Sequence, residues 1–499
     1  MKNIVLILFG VLVCAIGILG ESLQSNALRY YIPGLLHATV AMYATWSFFV
    51  NKKDYSMFLI WVGWFVWYYF QLLLPTSGML IIEMMDGYGT SGRIWGIVSG
   101  GITPVLLYIG TNAWQSTPQM KSFKVWLTVP LGENSIRRGY LTILIWSMFL
   151  IIPVGLVYLV TADLIMGSIH IMKEMRNTEI GTGFEAFGGA MGSFIALVSM
   201  APAVLIIILF LVFSIRNIWI RIIACVIVLP VPLIWCLGLL LSGTRTYIVA
   251  FGGVIIIWLC VKIKFNLLKL SIIGLIFVSI LIIAQTTYLY RNTGLSNFDF
   301  DETIDKIMDI QGLETLADQS RCFYYIMEEP EGQWFDVDPV SGFFIGLVHR
   351  PLEYSYYLIP RSIWHGKPLD PTFTDYTRFS LILAGYSDLP FVLTEDGKDT
   401  GYGTSNTTGF LGRDVIRYGP LGAISIIIWY SLFLAFGDLF FELSRRNPYS
   451  SWIAAAIAGT CFAMWRGPEP TWALLLMPCA LIIFLGYVAA VKHARSIMR

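Results

Sequence analysis

The side chains able to do chemistry in this 499-residue chain collect in its second half. Arg245 sits in the turn-like run Ser242-Gly243-Thr244-Arg245-Thr246, and Arg291 closes an apolar stretch. Arg350, Arg361 and Lys367 follow, and Arg413 and Arg417 stand just before another apolar stretch. A guanidinium offers two parallel N–H donors, so several converging on one point form a cradle for a phosphate or diphosphate. The same cations could instead pair with nearby carboxylates or with lipid head groups, and any one arginine alone fits that plainer reading.

Histidine supplies a second ingredient. His349 adjoins Arg350, and His365 lies between Arg361 and Lys367 in Ile359-Pro360-Arg361-Ser362-Ile363-Trp364-His365-Gly366-Lys367-Pro368. Neighbouring cations disfavour the charged imidazole, which keeps it neutral and able to take a proton. The alternative is an aromatic interfacial helix whose polar residues meet lipid heads. Asp414, beside Arg413, is a further candidate base. The run Gly401 to Gly412 is rich in Gly, Ser, Thr and Asn, and such a run ahead of a helix exposes N–H groups that favour anions. It lacks the Gly-Lys-Ser/Thr of a nucleotide-binding loop, and a flexible turn with a helix cap explains it equally. Asp299-Phe300-Asp301 and Asp336-Val337-Asp338 occur in a generally acidic stretch and read as solvated surface, with calcium binding as the alternative. The seven cysteines show no zinc-ligand spacing, so no metal site is expected.

The elements that must position these groups are membrane helices. Only 13% of residues are charged and 57% are hydrophobic, whereas a soluble domain carries about 25% charged residues. An ordinary soluble globule is excluded, and a net charge of +1 argues against a nucleic-acid partner. A helix crossing the bilayer needs about 20 apolar residues. Qualifying runs lie near 3–20, 33–50, 55–75, 94–114, 139–162, 191–215, 219–241, 246–262, 267–290, 419–440, 451–465 and 470–490. The fourth is the weakest because it is rich in glycine, and the first reads as a retained span rather than a cleaved signal. The expected fold is therefore an all-α polytopic membrane protein with about twelve transmembrane helices.

Charge placement gives the orientation. Lys52-Lys53, Lys121 to Arg138, Arg216, Lys262 to Lys269, Arg445-Arg446 and Lys492 to Arg499 fall on alternate sides, which puts both termini in the cytoplasm. Residues 291–418 then form one large extracytoplasmic loop between a nine-helix part, 1–290, and a three-helix part, 419–499. The loop holds more than half of the Asp and Glu, and its many aromatics argue for folded structure. Short helices lying on, or dipping into, the outer interface are expected there. Arginines on this side run against the positive-inside bias, and ionisable groups near apolar spans are usually paired or functional.

Taken together, the Ser-Gly-Thr-Arg-Thr turn around Arg245, the Ile359-to-Trp364 run with Lys367-Pro368, and Gly409 to Asp414 leading into Tyr418-Gly419-Pro420-Leu421-Gly422 resemble a known family. They are similar to the oligosaccharide repeat-unit polymerases of bacterial surface polysaccharide assembly, the Wzy-like O-antigen polymerases, and so is the dominant late loop. The resemblance covers roughly the second half of the chain. Many members read Gly-Glu where this chain reads Gly412-Arg413, so no role for a glutamate carries over. What the resemblance implies is a metal-independent, cofactor-free GT-C-type glycosyltransferase of the inner membrane, acting in O-antigen or lipopolysaccharide biosynthesis. It would move a growing glycan from one undecaprenyl diphosphate carrier onto a new carrier-linked repeat unit. On that reading Arg245, Arg361 and Lys367 meet the diphosphate charge, supported by Arg291, Arg350, Arg413 and Arg417. His365 is the first choice of base, then His349 and Asp414. Partners implied are the lipid-linked donor and acceptor, membrane lipids and a chain-length co-polymerase. An O-antigen ligase and, from another class, a flippase or transporter remain as alternatives; few ionisable residues within the spans speak against transport.

Overall fold

A computed structural model describes residues 2–51, 54–87, 89–160, 200–241, 245–262, 315–328, 338–357, 409–465 and 470–498, with isolated positions between 271 and 286. Among the described residues every regular element is helical, and five helices are long and apolar enough to cross a membrane. They are α1 (Lys2–Ser22), α5 (Thr90–Ser116), α7 (Glu133–Val160), α15 (Gly422–Leu443) and α17 (Pro470–Met498). Between them come α2 (Ile32–Asn51), α3 (Tyr55–Trp64), α4 (Pro75–Asp86), α6 (Pro118–Leu127) and α8 (Ala201–Phe213). Further along lie α9 (Ile218–Val228), α10 (Pro230–Leu241), α11 (Arg245–Lys262), α12 (Thr315–Glu328), α13 (Pro339–Tyr357), α14 (Gly409–Tyr418) and α16 (Pro448–Met464). The molecule is an all-α membrane protein. Most of the run expected near 267–290 lies outside the described residues.

The glycine-rich helix α5, expected to be the weakest span, is a packing axis instead. It contacts α1, α3, α12 and α15. In lipid the hydrophobic effect does not drive helices together, so close approach through small residues must do so. At Gly96 a Cβ would collide with Ser320 of α12, and at Gly92 with Tyr324. The low hydropathy that weakened the sequence signal is thus the price of tight contact.

The expected third span, 55–75, is not one straight helix. α3 passes into a π-helical turn, Phe65–Tyr69, and a short 3-10 turn, Gln71–Leu73. The sequence Trp64-Phe65-Val66-Trp67-Tyr68-Tyr69-Phe70 is almost entirely aromatic, and Trp64, Trp67, Tyr68 and Tyr69 are all buried. A wider π turn re-phases side chains along a helix. Here it accompanies the stacking of Tyr68 on Trp64, with ring centroids 3.9 Å apart. The seventh expected span is also broken, with α9 and α10 meeting at 47° before Pro230.

Polar contacts clamp both ends of the bundle. Where α1 ends and α5 begins, Arg29 bridges Glu21 at 2.9 Å and Asp86 at 3.2 Å, and Arg93 meets Glu21 at 2.8 Å. At the other end Asp438 accepts from the Ser56 amide at 2.8 Å and from Gln115 at 2.5 Å. The second contact also sets α5 and α15 side by side and parallel, as does Ser431 donating to the Leu107 carbonyl at 3.2 Å.

Three helices from the 291–418 segment enter this frame. α12 runs antiparallel to α5, with Tyr324, Ser320 and Leu316 facing Gly92, Gly96 and Gly100 in turn. α14 folds back on α15 as a helical hairpin. Gly419 makes the turn at φ +75°, a left-handed conformation that costs glycine no Cβ clash. Tyr418 packs on Gly422, and Phe410 lies 5.0 Å from the Tyr430 ring. The start of α14 therefore sits about 12 Å down α15 from its first residue, at 1.5 Å per residue. α13 lies beside both helices. These three helices run alongside α5 and α15 rather than resting on the end of the bundle.

Candidate functional site

All ten residues of α14, Gly-Phe-Leu-Gly-Arg-Asp-Val-Ile-Arg-Tyr, are buried. Two arginines and an aspartate on a wholly buried helix need local compensation, because an ionised group out of water costs several kcal/mol or more when it is isolated. The helix is held at its deep end by a polar node. Tyr68 accepts from the Phe410 amide at 2.6 Å and donates to Gln319 Oε1 at 2.9 Å. Gln319 Oε1 also accepts from the Leu411 amide at 3.1 Å, while its amide group donates to Ser99 at 2.8 Å. First-turn N–H groups have no partner within their own helix, so these bonds satisfy two of them far from either end of the bundle. Phe410 completes the anchor, packing edge-on to Trp64 and against Trp465 at 5.2 Å.

Further along α14 the charges meet α13. Arg350 forms an ion pair with Asp414, and the two side chains are 2% and 0% exposed. Arg413 and Arg417 are 0% and 5% exposed. His349 Nδ1 lies 2.9 Å from the Tyr418 hydroxyl, which also accepts from Arg417 at 3.4 Å. The Arg417 guanidinium sits 5.7 Å from the centre of the Tyr418 ring, within cation–π range. Among the described residues, five buried side chains and the half-buried His349 thus form one cluster on two helices, with three guanidiniums and one carboxylate.

The electrostatics follow from burial and from the neighbouring guanidiniums. Burial, then Arg417, Arg413 and Arg350, push the His349 imidazole below its ordinary range, so it is neutral at pH 7. Burial, with Arg350 adding and Tyr418 opposing, pushes Arg417 down to about 10, which leaves it charged at neutral pH. Guanidiniums gathered in this way suit an anion, which each can meet with two parallel hydrogen bonds. A neutral imidazole beside them can accept a proton.

The structure brings together five of the residues expected from sequence: His349, Arg350, Arg413, Asp414 and Arg417. Asp414 serves as the counter-ion of Arg350, which weakens its candidacy as a base relative to His349. Arg245 opens α11. Arg291, Arg361, His365 and Lys367 lie outside the described residues, as do Asp299, Asp301 and Asp336. Asp338 has a structural task as the cap of α13. It accepts from the amides of Val340 and Ser341, both at 3.1 Å, and from the Ser341 hydroxyl at 2.5 Å. Those bonds hold its carboxyl below the usual range. No cluster of three or more metal-ligating side chains occurs among the described residues.

Three residues of the site were missed from sequence. Tyr418 had a usable signal, lying four residues after Asp414 on the same helical face. Tyr68 and Gln319 had none, because each reaches α14 from a distant part of the chain. No protein-family profile matches the sequence, and neither a curated protein nor a solved structure matches it.

Proposed function

We propose that this protein is a membrane glycosyltransferase that joins undecaprenyl-diphosphate-linked repeat units into a surface polysaccharide such as O-antigen. In this reading the chain crosses the cytoplasmic membrane about twelve times, keeps both termini in the cytoplasm and begins and ends 291–418 on the outer side, with helices of that segment entering the bundle between. The observation that carries the proposal is the buried set Arg350, Arg413 and Arg417, gathered with Asp414 where α13 meets α14. The leaving group in such a transfer is a lipid diphosphate, whose negative charge develops as the glycosidic bond breaks. Preorganised donors at that point lower a barrier by about 3 kcal/mol each.

Arg245, Arg361 and Lys367 are assigned to the diphosphate together with Arg350, Arg413, Arg417 and Arg291. His365 is assigned as the base that takes the acceptor hydroxyl proton. His349 is the alternative base, supported by its neutral state and its contact with Tyr418.

The test is a gel of lipid-linked glycan from polysaccharide-producing cells lacking this gene. Wild type should restore the ladder of chain lengths, whereas Arg245→Ala, Arg361→Ala or Arg417→Ala should leave single repeat units at normal protein levels. Near-normal ladders from all three variants would sink the model. Long polymer that stays on its lipid carrier in the deleted cells would indicate a ligase, and unchanged glycan would redirect the reading toward transport.

A further inference from the structure

Helix α13 is not among the five helices apolar enough to be recognised as spans. Its position nevertheless sets its depth. Gly342 packs on the Tyr418 carbonyl, and a Cβ at Gly346 would lie 2.8 Å from the Ser425 hydroxyl. One residue on, Trp429 donates to the Leu347 carbonyl at 2.9 Å. Residues rise together on the two helices, so α13 lies parallel to α15, descending from the same end. α15 is a membrane span by length and composition. A helix that tracks it turn for turn shares its depth and cannot lie flat at the interface.

The face of α13 turned away from the bundle fits that depth. Val340, Phe344, Val348 and Leu352 recur every four residues and are 58%, 58%, 63% and 51% exposed. No charged residue occupies these four positions, and Ile424 of α15 and Leu421 just before it are exposed as well. Arg350 is on the buried side, with Asp414. The stripe covers 12 residues, about 18 Å of axial rise, which is more than half of the roughly 30 Å hydrocarbon core.

We infer that α13 is inserted in the bilayer beside α15, with the Val340–Leu352 stripe facing lipid acyl chains and its other face closing the cationic cluster. One helix then separates the buried arginines from the leaflet. Arg350, Glu353 and His349 lower the mean hydropathy of the segment, which conceals it from span recognition. The inference rests on α15 spanning the membrane and not on glycosyl transfer, so the two fail separately.

Nitroxide labels at Val340→Cys, Phe344→Cys, Val348→Cys and Leu352→Cys, in full-length protein reconstituted into lipid nanodiscs, test this. The unsubstituted protein, labelled alike, supplies the background of its own cysteines. The ratio of collision with oxygen to collision with a water-soluble nickel chelate should rise steadily from Val340 to Leu352. An equal ratio at all four sites would mean a helix lying in the interface, and high nickel access throughout would mean one in water; either overturns the inference. Spin–spin broadening at a single site would place a second copy on the stripe and overturn it equally.

Discussion

Neutralising Asp414 should cost more stability than removing the arginine it pairs with. Among the described residues, the buried cluster holds Arg350, Arg413 and Arg417 with Asp414 as its carboxylate. Asp414→Asn keeps the shape of the side chain but takes its negative charge away from three guanidiniums. Arg350→Met leaves two guanidiniums and the carboxylate, a better balanced set. Breaking a buried pair from one side typically costs about 3–5 kcal/mol, and Asp414→Asn should fall in that range, with Arg350→Met below it. Combining them should recover part of the Asp414→Asn loss, because one of three crowded cations has gone. A coupling of about 1–3 kcal/mol is expected for groups in contact. Unfolding free energies of the four proteins, measured in mixed detergent micelles by circular dichroism, close this cycle. Additivity within about 0.5 kcal/mol, or a larger loss from Arg350→Met than from Asp414→Asn, would refute the reasoning.

Three other outcomes follow from the same contacts. His349 is held neutral, with its folded-state pKa below the ordinary 6.5, so the unfolded chain protonates first as pH falls. Its contribution to stability is complete above about 6.5 and declines below that value until the folded pKa is reached. Unfolding free energies at pH 7.5 and 5.5 should therefore differ less in His349→Gln than in wild type, and equal differences would count against the assignment. Tyr68→Phe removes the acceptor of the buried Phe410 amide and should cost about 1–3 kcal/mol, read by chemical unfolding; a neutral result would remove the polar node from the account. Gly96→Val would push α12 away from α5 and should destabilise by about 1–3 kcal/mol, whereas Gly132→Ala, with open space around it, should change little in the same assay.

Much of the fold was legible because membrane helices announce themselves by length and low charge. α1, α5, α7, α15 and α17 correspond to expected runs, and His349, Arg350, Arg413, Asp414 and Arg417 were singled out by type and position alone. What was not legible depended on contacts across the chain. The break after Trp64 lies in a uniformly aromatic run, where hydropathy carries no phase. The glycines of α5 read as a weakness until Ser320 and Tyr324 are seen against them. α13 was expected only as a loop helix, because Arg350 and His349 hide a lipid-facing stripe on the opposite side. Asp414 was read as a base before its ion pair with Arg350 was known. Nothing local to Tyr68 or Gln319 hints that they hold the start of a helix hundreds of residues or some ninety residues away.

The most direct test of the central claim is turnover by the purified protein in nanodiscs supplied with a synthetic polyprenyl-diphosphate-linked repeat unit. Wild-type protein should form a ladder of lengthened lipid-linked glycan with one free polyprenyl diphosphate released per linkage, and absence of that ladder would overturn the proposal. Both products should also be lost in Arg413→Ala and Arg417→Ala proteins that remain folded by circular dichroism. Arginine variants that lengthen chains as wild type does would contradict the proposal equally.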